Sequence, residues 1–144
     1  MTLALAAIML ATLFAGAALY ISLVEHPARL RLDDAALLAQ WQPSYQRALP
    51  IQAGLAVLGG VAGLIVWYQF GRWQWLVGSL ALLANWPFTL FVIMPTNKRL
   101  LAMTSRDAGA ESRKLLLRWG SLHGVRSGLG TASALLFAWG LLAR

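Results

Sequence analysis

Apolar residues in this chain run in four long blocks separated by short polar breaks. Met1–Val24, Ala48–Gly71 and Trp73–Asn97 carry no charged side chain, and a fourth uncharged block runs from Ser127 to Ala143. At about 1.5 Å per residue the first three are each long enough, as helices, to cross a hydrocarbon core of about 30 Å. The fourth covers only about 26 Å at that rise, so its helix is expected to start nearer Trp119, which brings Arg126 inside the membrane boundary. The spans are therefore placed at about 2–24, 50–70, 73–95 and 119–142 of a single domain, residues 1–144. The Gly71-Arg72 junction leaves room only for a tight hairpin. The predicted fold class is all-α, an integral membrane four-helix bundle.

The first loop has structure of its own. Asp33-Asp34 can cap a helix, and Leu37, Leu38, Trp41, Tyr45 and Leu49 recur at helical spacing to make one apolar face. This predicts an in-plane amphipathic helix leading into span two, with Pro43 starting a new turn or kinking it. In the third loop Asp107 is the expected cap of a helix that begins near Ala108 and runs through Leu115, Leu116 and Trp119 into span four.

Composition sharpens this picture. The chain is 59% hydrophobic and only 12% charged, so its net charge of +7 must sit in the loops. Arg29, Arg31, Arg47, Lys98, Arg99, Arg106, Arg113, Lys114, Arg118 and Arg126 fall on the side of loops one and three, against Arg72 and Arg144 on the other. That bias places loops one and three in the cytoplasm and both termini outside. The abundance of Arg, Ala, Leu and Gly fits a GC-rich bacterium, hence a bacterial inner membrane. The basic residues follow the first span and none precedes it, so that segment is expected to stay attached rather than to be cleaved as a signal peptide. Trp67, Tyr68, Trp73 and Trp75 around the hairpin suit an interfacial aromatic belt. The basic loops are explained by membrane lipid, and no nucleic-acid partner is expected, because no basic stripe is interleaved with aromatics. With no cysteine, thiolate chemistry and disulfides are excluded.

In lipid, helices associate through close backbone contact, which small residues supply. Ala7, Ala11 and Ala15 repeat on span one, Gly59, Gly60 and Gly63 cluster on span two, and Gly120, Gly124 and Gly128 repeat on span four. They predict bundle packing, and leave glycine and alanine faces through which a homo-oligomer could form.

Polar groups inside spans are costly and often mark function. Here they gather in one half of the bundle: Glu25-His26-Pro27 ends span one, Asn85, Pro87 and Thr89 lie in span three before Pro95-Thr96-Asn97 ends it, and Trp119, His123, Arg126 and Ser127 open span four. A pocket is therefore expected to open toward the cytoplasm or the inner leaflet. Trp119, His123 and Arg126, spaced by four and three, share a helical face. His26 and His123 lie at similar depth. They could ligate haem or a metal ion, or His26 could be an interfacial residue bonded to a carbonyl and Arg126 a side chain that snorkels to phosphate. Asn85 lies near the midplane, either repairing the backbone disturbed by Pro87 or serving a site.

The strings Phe14-Ala-Gly16, Tyr20, His26-Pro27-Ala28, Asn85-Trp-Pro87-Phe-Thr89, Met94-Pro95-Thr96-Asn97 and Trp119-Gly120 with His123 and Arg126, in that order, resemble the anthrone-oxygenase-like family of small four-span proteins. Many members are known only as a domain of unknown function. The resemblance covers essentially the whole chain and implies a membrane four-helix bundle. In characterised polyketide members it implies oxidation of an anthrone to an anthraquinone by molecular oxygen, with no added metal or flavin. An anthrone reacts with oxygen once its activated methylene loses a proton. For such a lipophilic substrate His123 or His26 is the candidate base, Arg126 and Asn85 the candidate stabilisers of the enolate oxygen, and Trp119 with Tyr45 the candidate ring flanks. Glu25, Thr89 and Asn97 complete the expected binding set. A haem or metal protein and a non-catalytic lipid-binding or assembly factor are the competing readings.

Overall fold

A computed structural model describes residues 1–142. Arg144, counted above on the hairpin side, lies outside the described residues. Four helices, α1 (Thr2–Arg29), α2 (Asp34–Phe70), α3 (Trp73–Ala102) and α4 (Ala110–Leu142), are each long and apolar enough to cross a membrane. Each packs against its neighbours in sequence, and α4 closes the ring against α1. Connections this short force successive helices antiparallel. At the basic end Arg113 pairs with Asp34 and donates to the Leu30 carbonyl (2.9 Å) and the Leu32 carbonyl (2.6 Å), joining the start of α4 to loop one. At the other end Gly71, at φ 69°, takes the left-handed conformation that lets α2 stop and the hairpin turn.

All four helices outrun the spans read from hydropathy, and at the basic end. The first-loop helix is present, capped by the Asp33 side chain accepting from Ala36 N (2.9 Å), but it is continuous with span two. Leu37, Leu38, Trp41 and Tyr45 are buried in the bundle core, so this apolar face packs on helices and does not lie in the membrane plane. Pro43 neither ends nor restarts it; each internal proline removes one backbone bond, and packing on either side holds the helix together. Likewise Pro95 does not end the third span, since the helix continues to Ala102 with Thr96 and Asn97 buried. Asp107 closes a short turn, Ser105–Asp107, and does not cap α4: the Thr104 backbone N–H and hydroxyl both donate to its carboxylate (2.7 Å each) and hold its pKa below the usual carboxylate value.

Two five-residue turns are wider than α-helical, Ile21–Glu25 in α1 and Thr89–Ile93 in α3. Both stand immediately before a residue followed by proline, His26-Pro27 and Met94-Pro95, where the ring would otherwise meet the carbonyl four residues back. Ser22 and His26, four residues apart across the wide turn in α1, both face α4.

Packing follows the small residues only in part. Ala7, Ala11 and Ala15 are buried, and Gly59, Gly60 and Gly63 meet side chains of α1, α3 and α4. Gly124 and Gly128 face open space instead. Trp75 belongs to the core, stacked on Phe137 (4.9 Å), whereas Tyr68 and Trp73 are exposed as a belt requires, with Trp139 set edge-on to Trp73. A Cβ at Gly63 would collide with the Ser79 hydroxyl and the Phe137 ring. Gly63→Ala is therefore expected to cost about 1–3 kcal/mol through overpacking, read as a lower unfolding temperature in detergent; an unchanged midpoint would contradict this packing.

Candidate functional site

Two apolar clusters fill the bundle. One, around Phe14, Trp75, Leu82 and Phe137, lies toward the hairpin, and the other, around Trp41, Leu100, Leu116 and Trp119, lies toward the basic loops. Polar side chains lie around their junction. His26, Arg29, Gln52, Asn85, His123, Arg126 and Ser127 are all buried. A polar group withdrawn from both water and lipid needs a partner, and each partner limits what that group can do.

Arg126 is 6% exposed and has no carboxylate partner among the described residues. Its Nη2 donates to Gln52 Oε1 (3.1 Å), its guanidinium carbon stands 5.7 Å from the centre of the Phe14 ring, and its Nε has no partner among the described residues. It does not snorkel. Gln52 was not singled out in the sequence, although a glutamine two residues after Pro50 in an apolar span was a usable signal.

His123, 2% exposed, stacks on Trp119 (4.9 Å) and shares a 3.0 Å hydrogen bond between Nδ1 and Ser22 Oγ. His26 also contacts Trp119 (5.1 Å), and its Nε2 edge abuts Gly120, where a Cβ would come within 2.5 Å. Neither nitrogen of His26 is hydrogen-bonded in good geometry among the described residues, and the Leu116 backbone lies beside the ring. Haem or metal ligation by His26 and His123 thus gains no third ligand: among the described residues no three His, Asp or Glu side chains are grouped to hold a metal ion.

The aromatic residues pack closely on one another. Trp119 is enclosed by His26, His123 and Trp41, and Tyr45 has one face stacked on Trp41 (4.9 Å, 9°). What Tyr45 offers is its hydroxyl. Asn97 Nδ2 donates to that oxygen (2.9 Å), so the phenolic proton is free to point elsewhere. Glu25 is committed to an ion pair with Arg29 and accepts from Ser44 (2.8 Å), which ties α1 to α2. In the turn ahead of Pro87 Asn85 donates Nδ2 to the Leu82 carbonyl (3.0 Å) and, more weakly, to that of Ala81 (3.4 Å). Because carbonyls only accept, this fixes the amide's orientation and leaves Oδ1, buried and unpaired among the described residues, as an acceptor.

Two cavities lie against this layer. A small polar one of about 20 Å³ is lined by Arg29, Ser44, Tyr45, Gln52, Trp119, His123 and Arg126 among others, room for about one water-sized guest. An apolar one of about 200 Å³ lies between α2 and α3, lined by Ala53, Ala56, Asn85, Trp86, Thr89, Leu90 and Met94 among others. Leu49 and Arg126 line both. Trp86 and Leu90, which line the larger cavity, are exposed on the outside of the bundle.

The family model described as anthrone oxygenase matches residues 41–136. An anthrone oxygenase of Claviceps purpurea is 27% identical over an alignment covering 84% of this chain and 78% of that protein. Anthrone oxygenase tpcL of Aspergillus fumigatus is 40% identical over 55 residues, 36% of this chain, and that match spans only 34% of the fungal protein's own length. No solved structure matches.

Proposed function

The chain belongs to the anthrone oxygenase family, and from that premise we propose that it is a membrane oxidoreductase that uses molecular oxygen to oxidise a lipophilic phenolic or polycyclic substrate of the anthrone class. The observation that carries this reading is Arg126, a buried cation with no carboxylate partner among the described residues, which lines both the apolar cavity and the small polar one. Such a group is costly to bury and calls for an anion. An anthrone supplies one only after deprotonation, so the cation acts on the species that reacts with oxygen.

His123 removes a proton from the methylene carbon while Arg126 and the Tyr45 hydroxyl stabilise the oxygen that becomes the enolate. His123 and Arg126 are three residues apart, about 4.5 Å along the helix axis, on the scale of the one six-membered ring that separates that carbon from that oxygen. The enolate passes one electron to O₂, and the two radicals join at carbon as a peroxide anion that takes up a proton. Loss of the second C–H proton with cleavage of the O–O bond then gives the ketone and water. Overall, one methylene and one O₂ become one carbonyl and one H₂O.

The apolar cavity is smaller than the roughly 300–1,000 Å³ of enclosed ligand pockets, so the substrate enters edge-first from the lipid between α2 and α3 and stays partly in the opening. There Asn85 offers an acceptor to a ring hydroxyl, a role different from stabilising the enolate. The positive-inside bias puts the basic end in the cytoplasm. Oxygen uptake by the purified protein on an anthrone, corrected for autoxidation, tests the proposal, and no protein-dependent uptake would overturn it. Ala53→Phe, which fills the larger cavity, is expected to raise KM at least about tenfold, equivalent to about 1.4 kcal/mol of lost binding. An unchanged KM would place the entry route elsewhere.

A further inference from the structure

The polar layer holds a chain of hydrogen bonds between α1 and α4. His123 Nδ1 and Ser22 Oγ are 3.0 Å apart, Ser22 Oγ and Ser127 Oγ 2.8 Å, and Ser127 Oγ lies 3.0 Å from the Ala18 carbonyl. Each hydroxyl has one proton, and a carbonyl oxygen can only accept. Ser127 must therefore give its proton to Ala18. It then has none for Ser22, so Ser22 must donate to Ser127. Ser22 in turn has none left for the imidazole, so the proton between them belongs to His123 Nδ1. This is the one arrangement in which all three contacts are hydrogen bonds. The second carbonyl within reach of Ser127, that of His123 itself (3.3 Å), does not change the count, since it also only accepts.

We propose that Ser22 and Ser127 are positioning residues that hold His123 as its Nδ1–H tautomer and leave the Nε2 lone pair free. An imidazole has one lone pair in its neutral form, and the partner of one nitrogen decides where it lies. If Ser22 donated instead, Nδ1 would hold the lone pair against α1, and Nε2 would carry a proton with nothing to abstract. Ser22 lies within the wide turn Ile21–Glu25, and it and His26, four residues apart, both face α4: Ser22 toward His123 and Ser127, and His26 toward Trp119 and Gly120. The Ser127 side of the chain is anchored on rigid backbone, so the direction of the whole series is fixed at its far end. The kinetic consequence rests on His123 being the base proposed above, whereas the tautomer does not.

The chain contains two histidines, His26 and His123, so imidazole ¹⁵N resonances of histidine-labelled protein in lipid nanodiscs can be assigned with one variant, His26→Gln. The expected result is a pyrrole-type Nδ1 and a pyridine-type Nε2 for His123. In Ser22→Ala and in Ser127→Ala the Nε2–H form is expected to gain, while Ser22→Thr, which keeps the hydroxyl, restores the Nδ1–H signature. Oxygen-dependent turnover is expected to fall about tenfold or more in Ser22→Ala, part of the roughly 10²–10⁴-fold that a positioned base supplies, with KM little changed. A wild-type His123 in the Nε2–H form, or a tautomer indifferent to Ser22 and Ser127, would overturn the proposal. The predicted tautomer with unchanged turnover in Ser22→Ala would leave the serines as positioning residues and remove His123 as the base.

Discussion

Replacing His123 by Gln is expected to lower oxygen-dependent turnover of an anthrone by about 10²–10⁴-fold, the range a well-placed general base contributes. Gln keeps a polar group of similar reach beside Ser22 and Trp119, so the bundle should retain its helix content and its elution volume. It cannot accept a proton from carbon. The comparison with His26 decides which imidazole does the work: His26 Nε2 faces the backbone at Gly120, whereas His123 lines the polar cavity beside Arg126. His26→Gln is accordingly expected to disturb packing against Trp119 more than chemistry. A His123→Gln enzyme with wild-type turnover would rule out this base.

The second large effect is at Arg126. Arg126→Met should reduce turnover about 10²–10³-fold, as expected when a preorganised partner of a developing oxyanion is lost. The same change should leave thermal stability nearly unaltered or raise it, because a guanidinium held without a carboxylate is a burden on folding that a methionine of similar length does not impose. Loss of activity without loss of stability is the diagnostic pair. A structural arginine would show the reverse, a large fall in melting temperature with residual turnover proportional to folded protein. Arg126→Lys is expected to recover only part of the activity, since an ammonium cannot keep the bond to Gln52 and still present planar donors toward the cavity.

How far the sequence foretold this arrangement depended on whether a residue's role is set by its own chemistry or by its neighbours. The four spans were legible because uncharged stretches of that length have no other economical explanation than a bilayer. Their extensions were not, because Asp34 to Leu49 has the same helical period whether it lies flat or continues the span, and only contact with α4 and the end of α3 decides between them. Prolines misled at Pro43 and Pro95 for the same reason: the loss of one backbone bond is local, and tertiary packing outweighs it. His123, Arg126 and Asn85 stood out as polar residues in apolar segments. Tyr45 and Trp119 suggested ring flanks by their chemistry, but how their rings pack on Trp41 and His26 depends on neighbours distant in sequence. Ser22 carried no signal, because a lone serine in a helix usually bonds its own backbone. Only its meeting with Ser127, more than a hundred residues away, gives it a role.

In the proposed reaction this membrane bundle inserts one atom of O₂ into its substrate with its own base and cation at the reacting edge. The most direct measurement is the oxygen isotope in the product when purified protein turns over an anthrone under ¹⁸O₂ in ordinary water. One ¹⁸O atom is expected in the new carbonyl and the other in water, at a rate dependent on His123 and Arg126. A new carbonyl carrying ordinary oxygen, or a labelled product formed no faster than in protein-free nanodiscs, would contradict it.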